Sequence, residues 1–191
     1  MSYAAANPNV TCFLRLAGGS RVLIRSTLAN DLDLQREFFR SLSRQRRYFR
    51  FMTGFEELPP SLAELFASID HRSHVALLAA VFDGGREIMV GEARYAIDPH
   101  DRSVCEFAIA VADDWALKGL ASALLVRLEQ QAIARGVRHM RAETLACNRA
   151  MIGLALSAGY KMNTNKDDPS LIRLEKQLFA LPGGIRDAEA A

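Results

Sequence analysis

The chain has 191 residues, half of them hydrophobic and 24% charged, a balance that suits one domain with a real core and excludes a disordered chain. Its 24 basic and 22 acidic residues leave a formal net charge of +2, too little to steer it toward nucleic acid or anionic lipid. Cys12, Cys105 and Cys147 are odd in number and lack zinc-site spacing, so free thiols in a reducing compartment are expected, and no apolar run approaches the ~20 residues of a membrane span. The opening stretch MSYAAANPNVTCFLRL has neither the basic start nor the unbroken apolar run of an export signal. A cytoplasmic location follows as the expectation.

In chain order, Arg21 to Ser26 reads as a short strand, and Asn30 and Asp31 offer caps for a helix carrying Leu34, Phe38, Phe39 and Leu42. Pro59 and Pro60 precede Ser61, and Glu64 completes a capping-box pattern for a second helix that should bury Leu62, Leu65, Phe66 and Ile69. His74 to Phe82 and Ile88 to Ile97 flank the turn residues Asp83, Gly84 and Gly85, which predicts a hairpin, and Val104 to Ala112 extends it to a meander. From Gly119, apolar residues recur at helical spacing (Ala121, Leu124, Leu125, Leu128, Ala132) until Gly136 stops the helix. A strand from His139 to Leu145, a helix from Asn148 to Ala158 and a strand from Ser170 to Leu178 complete a β-α-α-β-β-β-α-β-α-β order. We expect one domain at 20–179, with flexible segments at 1–19 and 180–191.

The chemistry concentrates between Cys105 and Leu128. Strand alternation puts Cys105, Phe107, Ile109 and Val111 on one face and Val104, Glu106, Ala108 and Ala110 on the other. A carboxylate inside an apolar strand is costly unless it is paired or its pKa rises, and a raised pKa suits a general base. An ion pair with Arg94 or Arg141 is the structural alternative. The loop from Ala116 to Ala121 has small residues that let backbone approach a ligand, and a helix start offers unpaired N–H donors to an anion such as pyrophosphate. Tight strand-to-helix packing explains the same residues without a ligand.

This stretch resembles the acyl-CoA-binding motif of the GNAT acetyltransferase family, in which Gln or Arg is followed by two variable residues, Gly, a variable residue and Gly or Ala. Gly119 and Ala121 match; Ala116 stands where Gln or Arg is usual, which removes a side-chain contact and leaves the backbone cradle. Asn148 and Gly159-Tyr160 are similar to the later motif in which Asn opens a helix that ends at Gly and an aromatic. LSRQRRYFRFM, VGEARY and CEFAIAVADDW resemble, in order, the GNAT domains of bacterial protein lysine acetyltransferases.

The resemblance implies an α/β GNAT fold with a mixed, mostly antiparallel sheet, about four helices and two splayed central strands, here Val104–Ala112 and His139–Leu145. It implies that acetyl-CoA or a related acyl-CoA lies along Ile109, Ala110 and Val111, with Ala116, Leu117, Lys118, Gly119, Leu120, Ala121 and Ser122 around its pyrophosphate and Asn148 nearby. It makes Glu106 the general base for attack of an amine on the thioester. The acceptor it favours is a protein lysine; a small amine such as an amino acid or polyamine, or a CoA-sensing module with little turnover, are the alternatives. Many relatives place a Tyr acid seven residues after the motif's Asn, where this chain has Ala155, and Tyr160 reads as core.

Other residues carry weaker signals. Glu92 and Glu143 are second-choice bases, and Asn148 is also an ordinary helix cap. QREFFRSLSRQRRYFR suggests nucleic acid only by charge, its arginines being expected on a solvated side or against an acidic partner. Trp115 lies under the loop or along a cleft. The four histidines lack metal spacing, so no metal is expected, and pairing of two copies through sheet edges is left open.

Overall fold

The computed structural model describes residues 10–52, 54–165 and 168–179. Eight strands form one sheet in the order β1-β2-β3-β4-β5-β6-β8-β7. β1 (Thr11–Arg15) pairs antiparallel with β2 (Arg21–Ser26). It adds residues 11–15 to the sheet, a stretch expected outside the domain. Its alternation is disguised because the outward Phe13 is as apolar as its inward neighbours; Arg21 stacks on that exposed ring at 4.1 Å. The expected tails at 1–9 and 180–191 lie outside the described residues.

α1 (Leu32–Ser41) and α2 (Arg44–Phe51) are two helices where the sequence suggested one run. Leu42 is extended, and Ser43 restarts the helix by accepting a hydrogen bond from the Arg46 N–H. α3 (Pro60–Ala67) begins two residues earlier than its capping-box pattern implies. Pro60 takes the first helical position, which needs no N–H, and Pro59 is the cap. Ala63 and Phe66 are therefore buried, while Leu65 is exposed and Leu62 and Ile69 only partly covered.

β3 (His74–Asp83), β4 (Arg86–Ile97) and β5 (Val104–Val111) form the expected meander. α4 (Leu120–Ala134) then crosses over to β6 (His139–Leu145), which runs parallel to β5. α5 (Arg149–Ser157) leads to β7 (Lys161–Thr164), a short edge strand that the sequence reading missed, and β8 (Leu171–Gln177) inserts between β7 and β6. All four β7 residues are exposed, so no buried alternation announces it.

The sheet is covered on both faces. Leu120, Leu124, Leu125 and Leu128 of α4 are fully buried on one, each worth about 1.5–3 kcal/mol by transfer from water. On the other, Phe38 and Leu42 pack against Leu78, Ala80, Met89 and Ala110. Gly91 allows α4 to approach β4, because a Cβ there would sit 3.3 Å from Leu124 Cδ1 and 3.4 Å from Leu120 Cδ2. That contact fixes where the start of α4 lies over the sheet. Among the described residues no helix is long and apolar enough to cross a membrane.

Candidate active site

β5 and β6 pair only at Val104↔His139, Cys105↔Met140 and Glu106↔Arg141. Beyond that rung both strands continue, held by β4 up to Val111 and by β8 up to Leu145. They must therefore part, and the backbone groups of β5 facing the gap have no ladder partner there. The gap opens into a cleft of about 570 Å³ lined by residues 107–111 of β5, residues 142–144 of β6 and the starts of α4 and α5.

Of the residues predicted to hold an acyl-CoA, Ile109, Ala110, Val111, Ala116, Leu117, Gly119, Ala121, Ser122 and Asn148 line this cleft. Lys118 and Leu120 do not: the Lys118 ammonium lies 5.1 Å from the Trp115 ring, and the Leu120 side chain is fully buried in the core. Only the Leu120 backbone can serve a ligand. Gly119, at φ +83°, caps α4 in the left-handed conformation that glycine enters without strain. Leu117, also at positive φ and fully exposed, forms the tip of the loop. The 15-residue α4 has no acidic residue in its first turn, so its open N–H groups and positive dipole end are free to meet an anion.

Asn148 does the work of a cap. Its Oδ1 accepts from the Met151 N–H at 3.2 Å and its Nδ2 donates to Thr144 Oγ1 at 3.0 Å, joining α5 to β6 beside the cleft. Trp115 lines the same cleft. Ala155 is fully buried, and Tyr160 packs against Phe107 at 5.2 Å in the core with burial foremost pushing its phenol pKa up. Neither supplies an acid at the cleft.

Glu106 differs from its expected setting. Its side chain is 58% exposed rather than enclosed by apolar neighbours, and Arg141 Nε stands 3.7 Å away while the Nη2 of the same arginine donates more closely to Asp98, at 3.0 Å. The strand is apolar along one face only; opposite Glu106 the register places Ala96, which leaves its face open. Glu106 lines a second cleft, of about 400 Å³, together with β4 and α3. The two clefts share Arg50, Phe107 and Ala108. They thus meet one and two residues past the rung where β5 and β6 separate.

The second-choice bases are both engaged. Glu143 pairs with Arg173 at 3.0 Å. Glu92 is buried, accepts from Arg94 at 2.8 Å and from Arg50 at 3.1 Å. Burial raises its pKa, but the charges of Arg94 and then Arg50 outweigh that and hold the carboxyl below the ordinary range.

Two arginines of α2, Arg46 and Arg50, are tied to acids of the fold, while Arg44 is exposed. Arg46 donates to Asp113 at 2.8 Å and to the Val111 carbonyl at 3.1 Å, and Asp113 also accepts from the Ser43 backbone and hydroxyl. Arg50 reaches Glu92 across 42 positions of sequence. The available signal was VGEARY itself, where Glu92 and Arg94 share one face of a strand with no polar run around them.

Known proteins resemble this chain in sequence and fold. A family model described as the acetyltransferase (GNAT) family matches residues 35–160. Acetyltransferase PA5475 of Pseudomonas aeruginosa is 33% identical over 157 residues, 82% of this chain and 84% of that protein. The GNAT domain of S. lividans PAT superposes with a TM-score of 0.80 at 27% identity, over 88% of this chain and 97% of that domain. The fold is also that of yncA of Salmonella typhimurium, solved with acetyl-CoA, with a TM-score of 0.66 at 18% identity over 85% and 96% of the two chains. The family match spans the parted strands, the Gly119 loop, α4 and α5, and on that ground this chain belongs to the GNAT family of acetyltransferases.

Proposed function

We propose that the chain transfers an acetyl group from acetyl-CoA to a primary amine, with a protein lysine side chain as the favoured acceptor. The observation that carries this is the meeting of two clefts at Phe107 and Ala108, one suited to a long thioester and one that opens beside Glu106. The residues present fit acetyl-CoA: unpaired strand backbone beyond Glu106 offers donors and acceptors to pantetheine amides, and the acid-free start of α4 offers N–H groups to pyrophosphate. Relatives support the same cosubstrate, since yncA is solved with acetyl-CoA. The loss of a Gln or Arg side chain at Ala116 leaves this backbone cradle in place.

In this reading Glu106 accepts a proton from the acceptor ammonium, directly or through water, and the free amine attacks the thioester carbonyl. The C–N bond forms as the C–S bond breaks, giving an amide and the CoA thiol. An N–H near Ile109 polarises the carbonyl oxygen. A thiol of pKa near 8.5 is a tolerable leaving group, so the absence of a Tyr at Ala155 does not stop the reaction. The lysine acceptor rests on the resemblance of LSRQRRYFRFM, VGEARY and CEFAIAVADDW to protein lysine acetyltransferases.

The test is calorimetric titration of acetyl-CoA, followed by an acceptor panel of lysine peptides, amino acids and polyamines read by mass spectrometry. Micromolar binding, about 8 kcal/mol, with acetylation of at least one amine is expected. Binding without any acetylated amine would instead favour a sensing module.

A further inference from the structure

The acceptor cleft has charge at both ends. At its mouth stand Glu106 and Asp98 with Arg141 between them. At its inner end, Arg50 and Arg94 face one carboxylate, Glu92. The inner group therefore carries one positive charge in excess, in a place where uncompensated charge is costly.

Hydrogen-bond accounting points the same way. Arg94 is 6% exposed and lines the cleft. Its Nη2 donates to Glu92, but its Nε and Nη1 have no partner among the described residues, and neither has the Nε of Arg50. One flat face of the Arg94 guanidinium is covered by the Phe66 ring, 3.6 Å from its Cζ, and the unused Nε and Nη1 are themselves closed to solvent, so a ligand reaches them by displacing what covers them. A tie serving only to hold α2 on β4 would need the Glu92 bonds and no more. The surplus donors, Nε–H on one side of the guanidinium and Nη1 on the other, can each give an oxyanion one charge-assisted hydrogen bond.

Burial dominates the titration of this cluster. Burial foremost lowers the Arg50 pKa against the opposing pull of Glu92, with Arg94 adding to the fall. Burial and then the charge of Arg94 likewise lower that of His74, which also lines the cleft.

Register sets the spacing. Arg94 pairs with Ala108 and Ala96 with Glu106, all on one face, so the Arg94 rung lies two residues, about 7 Å of backbone, along the strand from the Glu106 rung. We infer that Arg94, aided by Arg50, forms an oxyanion subsite in the acceptor cleft and that the acceptor carries a carboxylate on the same molecule as its reacting amine. The inference rests on the acetyl-transfer reading and narrows its acceptor. The carboxylate belongs either to a free amino acid or to an acidic residue beside a lysine.

The test offers the full chain acetyl-CoA and acceptor pairs that differ by one charge. One arm compares free L-amino acids with their C-terminal amides; the other compares a lysine peptide having Glu beside the Lys with its Gln counterpart. The wild type is expected to favour the acid of at least one pair by about tenfold or more in kcat/KM, chiefly through KM. Arg94→Gln should reduce that ratio to about one without changing acetyl-CoA affinity. Preference in the first arm assigns a free amino acid, and preference in the second an acid-flanked lysine. Equal use of acid and neutral partner in every pair by the wild type overturns the subsite whether or not the variant folds, as does a ratio that survives in Arg94→Gln. If no amine is acetylated at all, acetyl transfer fails as a reading, and thermal shift with the same pairs decides the subsite: stabilisation by the acids alone upholds it, and none overturns it.

Discussion

Replacing Glu106 by Gln separates chemistry from structure. The side chain is 58% exposed and its nearest cationic partner, Arg141 Nε, is 3.7 Å away, so the pair is worth about 0–1 kcal/mol. Unfolding should shift by at most about 2–4 °C in a chain of this size. Acetyl-CoA affinity should hold, because Glu106 does not line the cleft between β5 and β6. A general base contributes about 10²–10⁴ in rate, or about 2.7–5.4 kcal/mol of barrier, so kcat should fall by that factor. A lysine amine of pKa about 10.4 is mostly protonated at neutral pH, and the deficit should shrink as pH rises toward that value and solvent does the deprotonation. The assay follows loss of thioester absorbance at saturating acetyl-CoA with whichever lysine peptide gives the highest wild-type rate. A variant within about tenfold of wild type across the pH range would remove Glu106 from catalysis.

Glu92→Ala leaves two buried guanidiniums without their carboxylate and should cost about 3–5 kcal/mol, or about 6–20 °C in thermal unfolding. Because the folded Glu92 carboxyl titrates below its unfolded value, its contribution is present above about pH 4.3 and lost as pH falls through the folded value. Wild type should therefore lose stability in acid more steeply than the variant; parallel acid limbs would contradict the buried ion pair. Gly119→Ala meets no atom within 4 Å, so its cost is the left-handed backbone, about 1–2 kcal/mol; calorimetry should show weaker acetyl-CoA binding, and an unchanged Kd would detach this loop from the pyrophosphate. Among the thiols, burial pushes Cys105 up to about 12 while Cys147 is exposed. Alkylation at pH 8 followed by mass spectrometry should thus mark Cys147 in the folded protein and Cys105 only after denaturation.

The strand, loop and helix around the first cleft were legible because they are local. A strand, a loop with Gly119 and a helix of regular apolar spacing adjoin in sequence, so alternation and periodicity suffice to order them. What escaped depended on partners far away. Thr11–Arg15 joins the sheet through Arg21–Ser26 although Phe13 spoils its pattern. The break at Leu42 answers to Asp113, seventy residues on, which accepts from Ser43 at the start of α2. Glu106 sits in an apolar strand by sequence yet faces an open cleft, because burial on that face is decided by what β4 and α3 place opposite it. Local pattern reports which face a residue occupies and leaves open whether that face is covered.

α2 links the two clefts mechanically. Near its start, Arg46 binds Asp113 and the Val111 carbonyl at the far end of β5, beside the cleft between β5 and β6. About one turn later Arg50 binds Glu92 and lines both clefts. A helix of eight residues is too short to stand alone in water, so these anchors, with the Phe39–Phe51 and Phe51–Phe66 ring contacts at 5.1 and 6.2 Å, hold it in place. Motion at either anchor must move the other, because an eight-residue helix turns as one body. On the proposed acetyl-transfer reading, filling one cleft and seating an acceptor in the other would bear on the same helix, and the arginine-rich stretch would tie the two sites together.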